Sequence, residues 1–182
     1  MKTSAPLVLS VLSLPLAFAS GSAFATQYLS LEQAQQVIFP EATVFKPTTL
    51  SLNLEQMQQV EKLAGLPTRS VAWRVIAAYQ GDKLLGHIVL DEVIGKFELI
   101  SYAVGLQLDA SVRQVEILTY RESHGVEIRN TNWRKQFVGK NASAGLKVGE
   151  GVANISGATL SCAHVTDGVR RIAAIAQVVL KK

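Results

Sequence analysis

The chain has 182 residues, a length typical of about one domain, and a formal net charge of +4 from 18 Lys and Arg against 14 Asp and Glu. This mild basicity, without interleaved aromatic and basic residues, excludes a nucleic-acid footprint, so we expect no nucleic acid among its partners. One cysteine excludes an internal disulfide, and three widely separated histidines match no metal-ligand spacing.

The N-terminal stretch, residues 1–25, has the parts of a secretory signal peptide. Lys2 supplies positive charge, residues 7–18 are mostly apolar, and residues 23–25, Ala-Phe-Ala, fit a small-x-small cleavage pattern. The apolar stretch is shorter than the roughly 20 residues that a membrane span needs. We therefore expect a periplasmic protein whose single domain spans residues 26–182. The alternative is an uncleaved segment that anchors the chain in the inner membrane.

The exported part begins with a predicted helix over residues 30–39. Ser30 is a suitable N-cap, and Gln33, three residues on, completes a capping box. Pro40 ends this helix because it cannot continue the hydrogen-bond pattern. Residues 42–45 then predict a short strand.

A second helix is predicted over residues 53–64, with Asn53 as its N-cap and Gly65 as its stop. The pattern then changes to strands, which are predicted over residues 71–79, 84–93, 97–108 and 112–120. Four consecutive strands with short links indicate an antiparallel sheet, and helices would cover one of its faces. The predicted fold class is α+β. No glycine fingerprint follows a strand, which argues against a doubly wound nucleotide-binding fold.

Apolar residues at helical spacing predict a C-terminal helix over residues 162–180, directly after a run Ser-Gly-Ala-Thr-Leu-Ser that ends at Ser161. Gly157 in this run lets the backbone approach a ligand closely, and Thr159 and Ser161 offer hydroxyl groups. The free N–H groups and the dipole of a helix N-terminus favour an anion such as phosphate. The alternative is that Ser156, Thr159 or Ser161 only caps the helix.

This run resembles the flavinylation motif of the FMN-binding domain family, Ser/Asp-Gly-Ala-Ser/Thr-x-Thr/Ser. Other segments resemble the family in the same order, and together they cover roughly residues 97–180. They are the strand segment Tyr102-Ala103-Val104-Gly105, the strand over residues 112–120, the element Glu122-Ser123-His124-Gly125, and the segment from Trp133 to Lys140, which resembles the family's Phe-x-x-Gln-Phe-x-Gly-Lys element.

The resemblance implies FMN attached through a phosphoester to the hydroxyl of Ser161. The family's motif most often ends in Thr, and a serine hydroxyl can make the same bond; Thr159 remains an alternative acceptor. The loop with Glu122 would approach the isoalloxazine ring, or its carboxylate would hold the loop through backbone N–H groups. Lys140 would neutralise the phosphate, or it is an ordinary solvated lysine. The implied cofactor-binding residues are Ser161, Thr159, Ala158, Gly157, Ser156, Glu122, Ser123, Gly125 and Lys140.

Several neighbouring side chains favour structural roles. Trp133 and Phe137, four residues apart, are expected in the core rather than against the flavin. Arg134 and Lys135 are expected to face water. Cys162 is expected to be a buried residue of the first helical turn and not a functional thiol.

The function implied is a one-domain electron carrier more than an enzyme with its own substrate, because no nucleophile–base constellation or metal site stands out and the chain has no room for a separate catalytic domain. The alternative within the family is a membrane-anchored flavin subunit of a respiratory or ion-translocating redox complex. A binding module without chromophore and an enzyme with its own substrate are the other two hypotheses. The resemblance implies a flavin transferase that uses FAD and Mg²⁺, and a membrane redox complex, a cytochrome or an exported reductase as redox partner.

Overall fold

The computed structural model describes residues 28–181, so the predicted signal peptide lies outside the described residues. The strands are Val44–Ser51 (β1), Ala72–Gln80 (β2), Lys83–Ile94 (β3), Leu99–Gln107 (β4) and Val112–Thr119 (β5). The α-helices are Leu31–Ile38 (α1), Leu54–Ala64 (α2), the short Thr131–Arg134 (α3) and Thr159–Ile175 (α4). Two 3-10 turns, Val126–Arg129 and Lys135–Phe137, flank α3, and a π-helical segment, Ala176–Leu180, extends α4.

The five strands form one antiparallel sheet in the order β1-β2-β3-β4-β5, so each strand pairs with its neighbour in the chain. The last three connections are short turns, whereas the chain passes from β1 to β2 through α2. Between β4 and β5 the Asp109 carboxylate closes the turn by accepting the N–H of Ser111 at 2.9 Å. The predicted α+β fold with an antiparallel sheet is confirmed.

The first strand is longer than the sequence predicts. Residues 42–45 predict four residues of strand, whereas β1 runs over Val44–Ser51 and includes Pro47. Pro47 lacks a backbone N–H and therefore weakens a strand prediction. β1 tolerates it because β1 pairs only with β2 and leaves its other edge unpaired.

Helices cover both faces of the sheet, whereas the sequence predicts helices on one face. Ala34 and Ile38 of α1 pack on one face in a cluster with Ile88. Helices α2 and α4 pack on the other face, where the main core forms. The strands themselves account for the second covered face, because their side chains on the face toward α1 are apolar too. The buried residues of α1's face include Ile76, Ala78, Ile88 and Ala103.

The ends of α1 and α2 follow the sequence rules closely. Ser30 and Asn53 are the N-caps of α1 and α2, and each forms a reciprocal capping box with the glutamine three residues on. Gly65 ends α2 in the left-handed conformation. None of the helices within residues 28–181 has the length and apolar character that crossing a bilayer requires.

Candidate functional site

A cavity of about 530 Å³ lies where three segments of the chain meet. The turn between β3 and β4 contributes Lys96 and Phe97, and the loop after β5 contributes Glu122 with the two residues that follow it. The third wall is the start of α4. The remaining lining residues are Ser123, His124, Gly157, Ala158, Thr159, Leu160 and Ser161.

The start of α4 leaves its backbone donors free. Ala158 is the N-cap, and no side chain caps the helix, so the alternative in which Ser156, Thr159 or Ser161 only caps it is not what the structure has. The first helical bond runs from the N–H of Cys162 to the carbonyl of Ala158 at 2.9 Å. The N–H groups of residues 159–161 therefore have no partner among the described hydrogen bonds. Together with the helix dipole they make this wall attractive to an anion.

Ser161 and Thr159 occupy different environments, although both line the cavity. Ser161 is only 3% exposed, and its Oγ lies 3.4 Å from the Oη of Tyr120. Thr159 is exposed, and its Oγ1 accepts a hydrogen bond from the amide of Asn154 at 3.0 Å. The helix begins three residues earlier than predicted, so both hydroxyls fall within its first turn. Ser161 is the hydroxyl held inward, toward Tyr120.

The Glu122 carboxylate holds the opposite wall together. Its Oε1 accepts the backbone N–H of Phe97 at 2.7 Å and that of Glu98 at 3.0 Å. Burial disfavours its charge, but the N–H donors of Glu98, Phe97 and Lys96 outweigh burial and hold the pKa of Glu122 below its usual value. These contacts give Glu122 a structural role, but they hold the turn between β3 and β4, whereas the sequence suggests that the carboxylate holds its own loop.

Gly125 brings the loop after β5 against the start of α4. Its φ is +82°, and a Cβ on it would lie 2.2 Å from the Cβ of Ala158. Beside it, the Ser123 Oγ lies 2.9 Å from the Nδ1 of His124, and both residues line the cavity. The element Glu122 to Gly125 thus lies against the N-terminus of α4.

Besides Gly125, two more of the sequence-predicted residues, Lys140 and Ser156, are not among the lining residues of the cavity. The Lys140 ammonium donates to the carbonyl of Gly151, in the loop before α4. Ser156 is exposed, precedes the lining residues and is not among them. Neither residue is positioned by the described contacts to touch a ligand in this cavity.

The helical stretch after the loop is structural. Trp133 and Phe137 are buried with their rings edge to face at 5.1 Å, as expected of core residues. The prediction that Arg134 faces water is wrong: it pairs with Glu116, whose side chain is 5% exposed. The Arg134 guanidinium, on α3, finds its acceptors on the neighbouring strand β5, where it also donates to the carbonyl of Val115 at 2.6 Å.

Sequence reasoning missed several residues of this site, of which Gly95 and Tyr120 matter most. A Cβ at Gly95 would lie 2.5 Å from the Glu122 Oε1 and 3.0 Å from the Ser161 Oγ. Tyr120 ends a strand pattern, and nothing in its local sequence points to the helix 41 residues on. An exposed aromatic in a turn, Phe97, is the one signal that could have been used. The other missed residues are Lys96, His124 and Leu160.

Cys162 is fully buried and follows Ser161 on the core side of α4. Burial raises the pKa of its thiol, which disfavours a reactive thiolate. Across the described residues no group of three or more His, Cys, Asp or Glu is arranged to hold a metal ion.

The cavity combines backbone N–H groups that have no described acceptor with the hydroxyl of Ser161, and one comparison with known proteins covers the same residues. The family model of the FMN-binding domain matches residues 95–174, a span that contains every residue lining the cavity. The resemblance first seen in the motif is confirmed over these residues. No curated protein matches the chain.

One solved structure similar to this chain is the crystal structure of Shewanella oneidensis NqrC. The two share 18% sequence identity, with a TM-score of 0.48, over 80% of this chain and 82% of that chain. At this identity and score the likeness defines neither a function nor a partner for this chain.

Proposed function

We propose that this chain is an exported flavoprotein that carries FMN through a phosphoester to Ser161 and acts as a one-domain electron carrier. The match to the FMN-binding domain over residues 95–174 supports the cofactor. The single observation that carries the attachment is the position of Ser161, whose hydroxyl borders the cavity at the uncapped start of α4.

The donor set of the cavity fits a phosphate. The N–H groups of residues 159–161 have no described acceptor, and such a group of donors at a helix N-terminus suits a phosphate monoanion or dianion. Lys96 at the mouth adds positive charge. Lys140 is left out of this set because it bonds to Gly151. The phosphate would be held by backbone donors more than by cationic side chains.

Ser161 suits the attachment better than Thr159. The Thr159 hydroxyl already accepts a hydrogen bond from the Asn154 amide at 3.0 Å, which occupies one of its lone pairs. The Ser161 hydroxyl has Tyr120 as its only described side-chain neighbour at hydrogen-bond distance, and it lines the cavity. The hydroxyl of Ser161 is therefore the one available to form a new bond.

Apolar side chains at the mouth fit a flavin ring. Phe97 is 74% exposed and Leu160 is 48% exposed, although both are large and apolar. Exposed apolar groups at the border of a cavity commonly mark a ligand or partner surface. FMN, when bound, supplies the electron transfer, and the protein supplies attachment, orientation and exclusion of water.

The proposed partners follow from this role. A Mg²⁺-dependent flavin transferase would move FMN from FAD to Ser161 after export, and residues 1–25 would be removed as a signal peptide. A membrane redox complex, a cytochrome or an exported reductase would exchange electrons with the flavin. Retention of residues 1–25 in the mature protein would instead favour the membrane-anchored flavin subunit.

Intact mass spectrometry tests the proposal on the full chain exported together with a flavin transferase. We expect a mass gain of one FMN less one water, and flavin fluorescence that survives denaturing electrophoresis. The Ser161→Ala variant should lose both, while Thr159→Ala, its matched control, should keep them. A folded but unmodified native protein, or covalent flavin in Ser161→Ala, would contradict the proposal. The same mass reports whether residues 1–25 remain.

A further inference from the structure

We propose that Tyr120 is a positioning residue that orients the Ser161 hydroxyl for flavin attachment, and that Gly95 keeps open the space beside that hydroxyl. The inference rests on the proposed attachment of FMN to Ser161 and names two residues that act on the attachment step. Both lie within the contacts of Ser161, and neither belongs to the motif around it.

The proton of the Tyr120 phenol is already used. Tyr120 Oη lies 2.5 Å from the carbonyl oxygen of His124, and a carbonyl can only accept. A phenol has a single proton, so this bond fixes it toward His124. Toward Ser161, 3.4 Å away, the phenolic oxygen is then left only as an acceptor.

The Ser161 hydroxyl must therefore donate to Tyr120. Ser161 is 3% exposed, so water has little access to compete for its proton. With the proton directed at the Tyr120 oxygen, the lone pairs of Oγ are left for the cavity side. A nucleophile held in this way loses less entropy when it reacts than a freely rotating hydroxyl does.

Tyr120 orients the hydroxyl but is not its base. Burial raises the pKa of the Tyr120 phenol, so it stays neutral at physiological pH. Its only proton is held by His124, and it has no charge with which to take another. The proton released by Ser161 must leave to the transferase or to solvent.

Gly95 provides room at the same hydroxyl. A Cβ on Gly95 would lie 3.0 Å from the Ser161 Oγ and 2.5 Å from the Glu122 Oε1. A side chain there would fill the gap between these two oxygens. The backbone of Gly95 is also held in place, because its N–H donates to the carbonyl of Glu98 at 2.8 Å. The gap beside Ser161 is thus kept open by a glycine on a fixed turn.

The attachment step that Tyr120 would assist is a phosphoryl-type transfer without change of oxidation state. The Ser161 Oγ forms a bond to the phosphorus of the FMN half of FAD, and the bond from that phosphorus to the bridging oxygen of the pyrophosphate breaks. AMP leaves with the bridging oxygen, and the hydroxyl proton passes to the transferase or to solvent.

Steady-state flavin transfer to the full chain, followed by intact mass with FAD and Mg²⁺ saturating, tests the inference. We expect Tyr120→Phe to lower kcat of transfer about tenfold, the effect of one hydrogen bond, while KM for the chain stays within about twofold. KM should hold because Tyr120 is 2% exposed and offers the transferase no surface. A merely structural role would raise KM through a displaced loop.

The matched control is Tyr102→Phe. Tyr102 is also a buried phenol with a 2.5 Å hydrogen bond, to the Asp91 carboxylate, but it does not line the cavity. Its variant should transfer flavin at the native rate. Gly95→Ala perturbs the hydroxyl by an independent route and should lower kcat at least as far as Tyr120→Phe. Circular dichroism and thermal melts establish whether each variant is folded. If Gly95→Ala does not fold, the kcat of Tyr120→Phe compared with that of Tyr102→Phe decides whether the inference holds.

The inference would be overturned if Tyr120→Phe kept the native kcat, changed KM alone, or fell no further than Tyr102→Phe. Failure of the proposed function looks different: the native chain would take up no flavin, or Ser161→Ala would still be modified. Loss of flavin in Ser161→Ala with a native rate in Tyr120→Phe would leave the proposed function standing and reject only the role of Tyr120.

Discussion

The Glu122 carboxylate accepts the backbone N–H of Phe97 at 2.7 Å, so the loop after β5 holds the turn between β3 and β4. This contact joins two of the three walls of the cavity and presents the exposed Phe97 ring at its mouth. The third wall, the start of α4, meets the same loop at Gly125. The loop after β5 is therefore the part of the chain on which the shape of the site depends.

The charge of Glu122 should make this contact sensitive to pH. Its pKa is lowered in the folded protein, so its contribution to stability is present above its ordinary value of 4.5 and is lost as pH falls through the lower folded-state value. We expect Glu122→Gln to lower the free energy of unfolding by about 1 kcal/mol at pH 7. The difference from the native protein should shrink at pH values below that lower pKa. Urea unfolding across pH measures it. Glu98→Gln, an exposed acid on the same turn, is the control and should change little; equal effects would contradict the clamp.

The contact between Gly125 and Ala158 should be intolerant of any side chain. Gly125→Ala would place a methyl 2.2 Å from the Ala158 Cβ at a φ of +82°, and we expect a loss of about 3 kcal/mol in the free energy of unfolding. Gly139→Ala is the matched control, because its φ is +76° and nothing lies within 4 Å of the added methyl. It should lower the free energy of unfolding by about 1 kcal/mol, the cost of holding a residue with a Cβ in the left-handed conformation. Urea unfolding compares them, and equal losses would show that the close approach is unimportant.

The sequence predicts the local elements well because their signals are local. Capping boxes at Ser30 and Asn53 need only four residues each, and both are present. The meander follows from four β-rich runs with short links. The sequence did not predict the end of β1, because Pro47 argues against a strand unless that strand lies at an edge of the sheet. Whether a strand lies at an edge is known only once the sheet is assembled.

The site is predictable only as far as its motif reaches. Gly157 and Ser161 stand out because their motif comes directly before the predicted C-terminal helix. Tyr120 lies 41 residues from its contact with Ser161, and no periodicity encodes that pairing. The sequence also does not predict the partner of Lys140, which is a backbone carbonyl in the loop before α4. The charge of Lys140 therefore suggested a phosphate ligand. Long-range contacts between irregular segments are what the sequence patterns leave open.

The buried pair of Arg134 and Glu116 should be expensive to break. Their side chains are 13% and 5% exposed, so removal of Arg134 leaves the Glu116 charge away from water, with only the Gln114 amide, at 2.7 Å, as a described side-chain partner. We expect Arg134→Ala to lower the free energy of unfolding by about 3 kcal/mol, measured by urea unfolding. The control is Lys147→Ala, which removes an ion pair with Glu150 whose side chains are 57% and 64% exposed, and it should cost at most about 0.5 kcal/mol. Similar losses for the two variants would mean that the Arg134 pair acts as an ordinary surface pair.

The thiol of Cys162 should be inert despite standing next to the proposed attachment residue. It is fully buried, and burial raises its pKa, so a thiolate is scarce at pH 8 and a reagent reaches it only when the structure opens. We expect a thiol-specific disulfide reagent to react at least about 100-fold more slowly with the native protein than with the protein in concentrated guanidinium chloride. Cys162→Ala should also take up flavin with the native yield, measured by intact mass. Rapid labelling of the native protein, accompanied by loss of flavin in Cys162→Ala, would instead assign the thiol a part in the attachment.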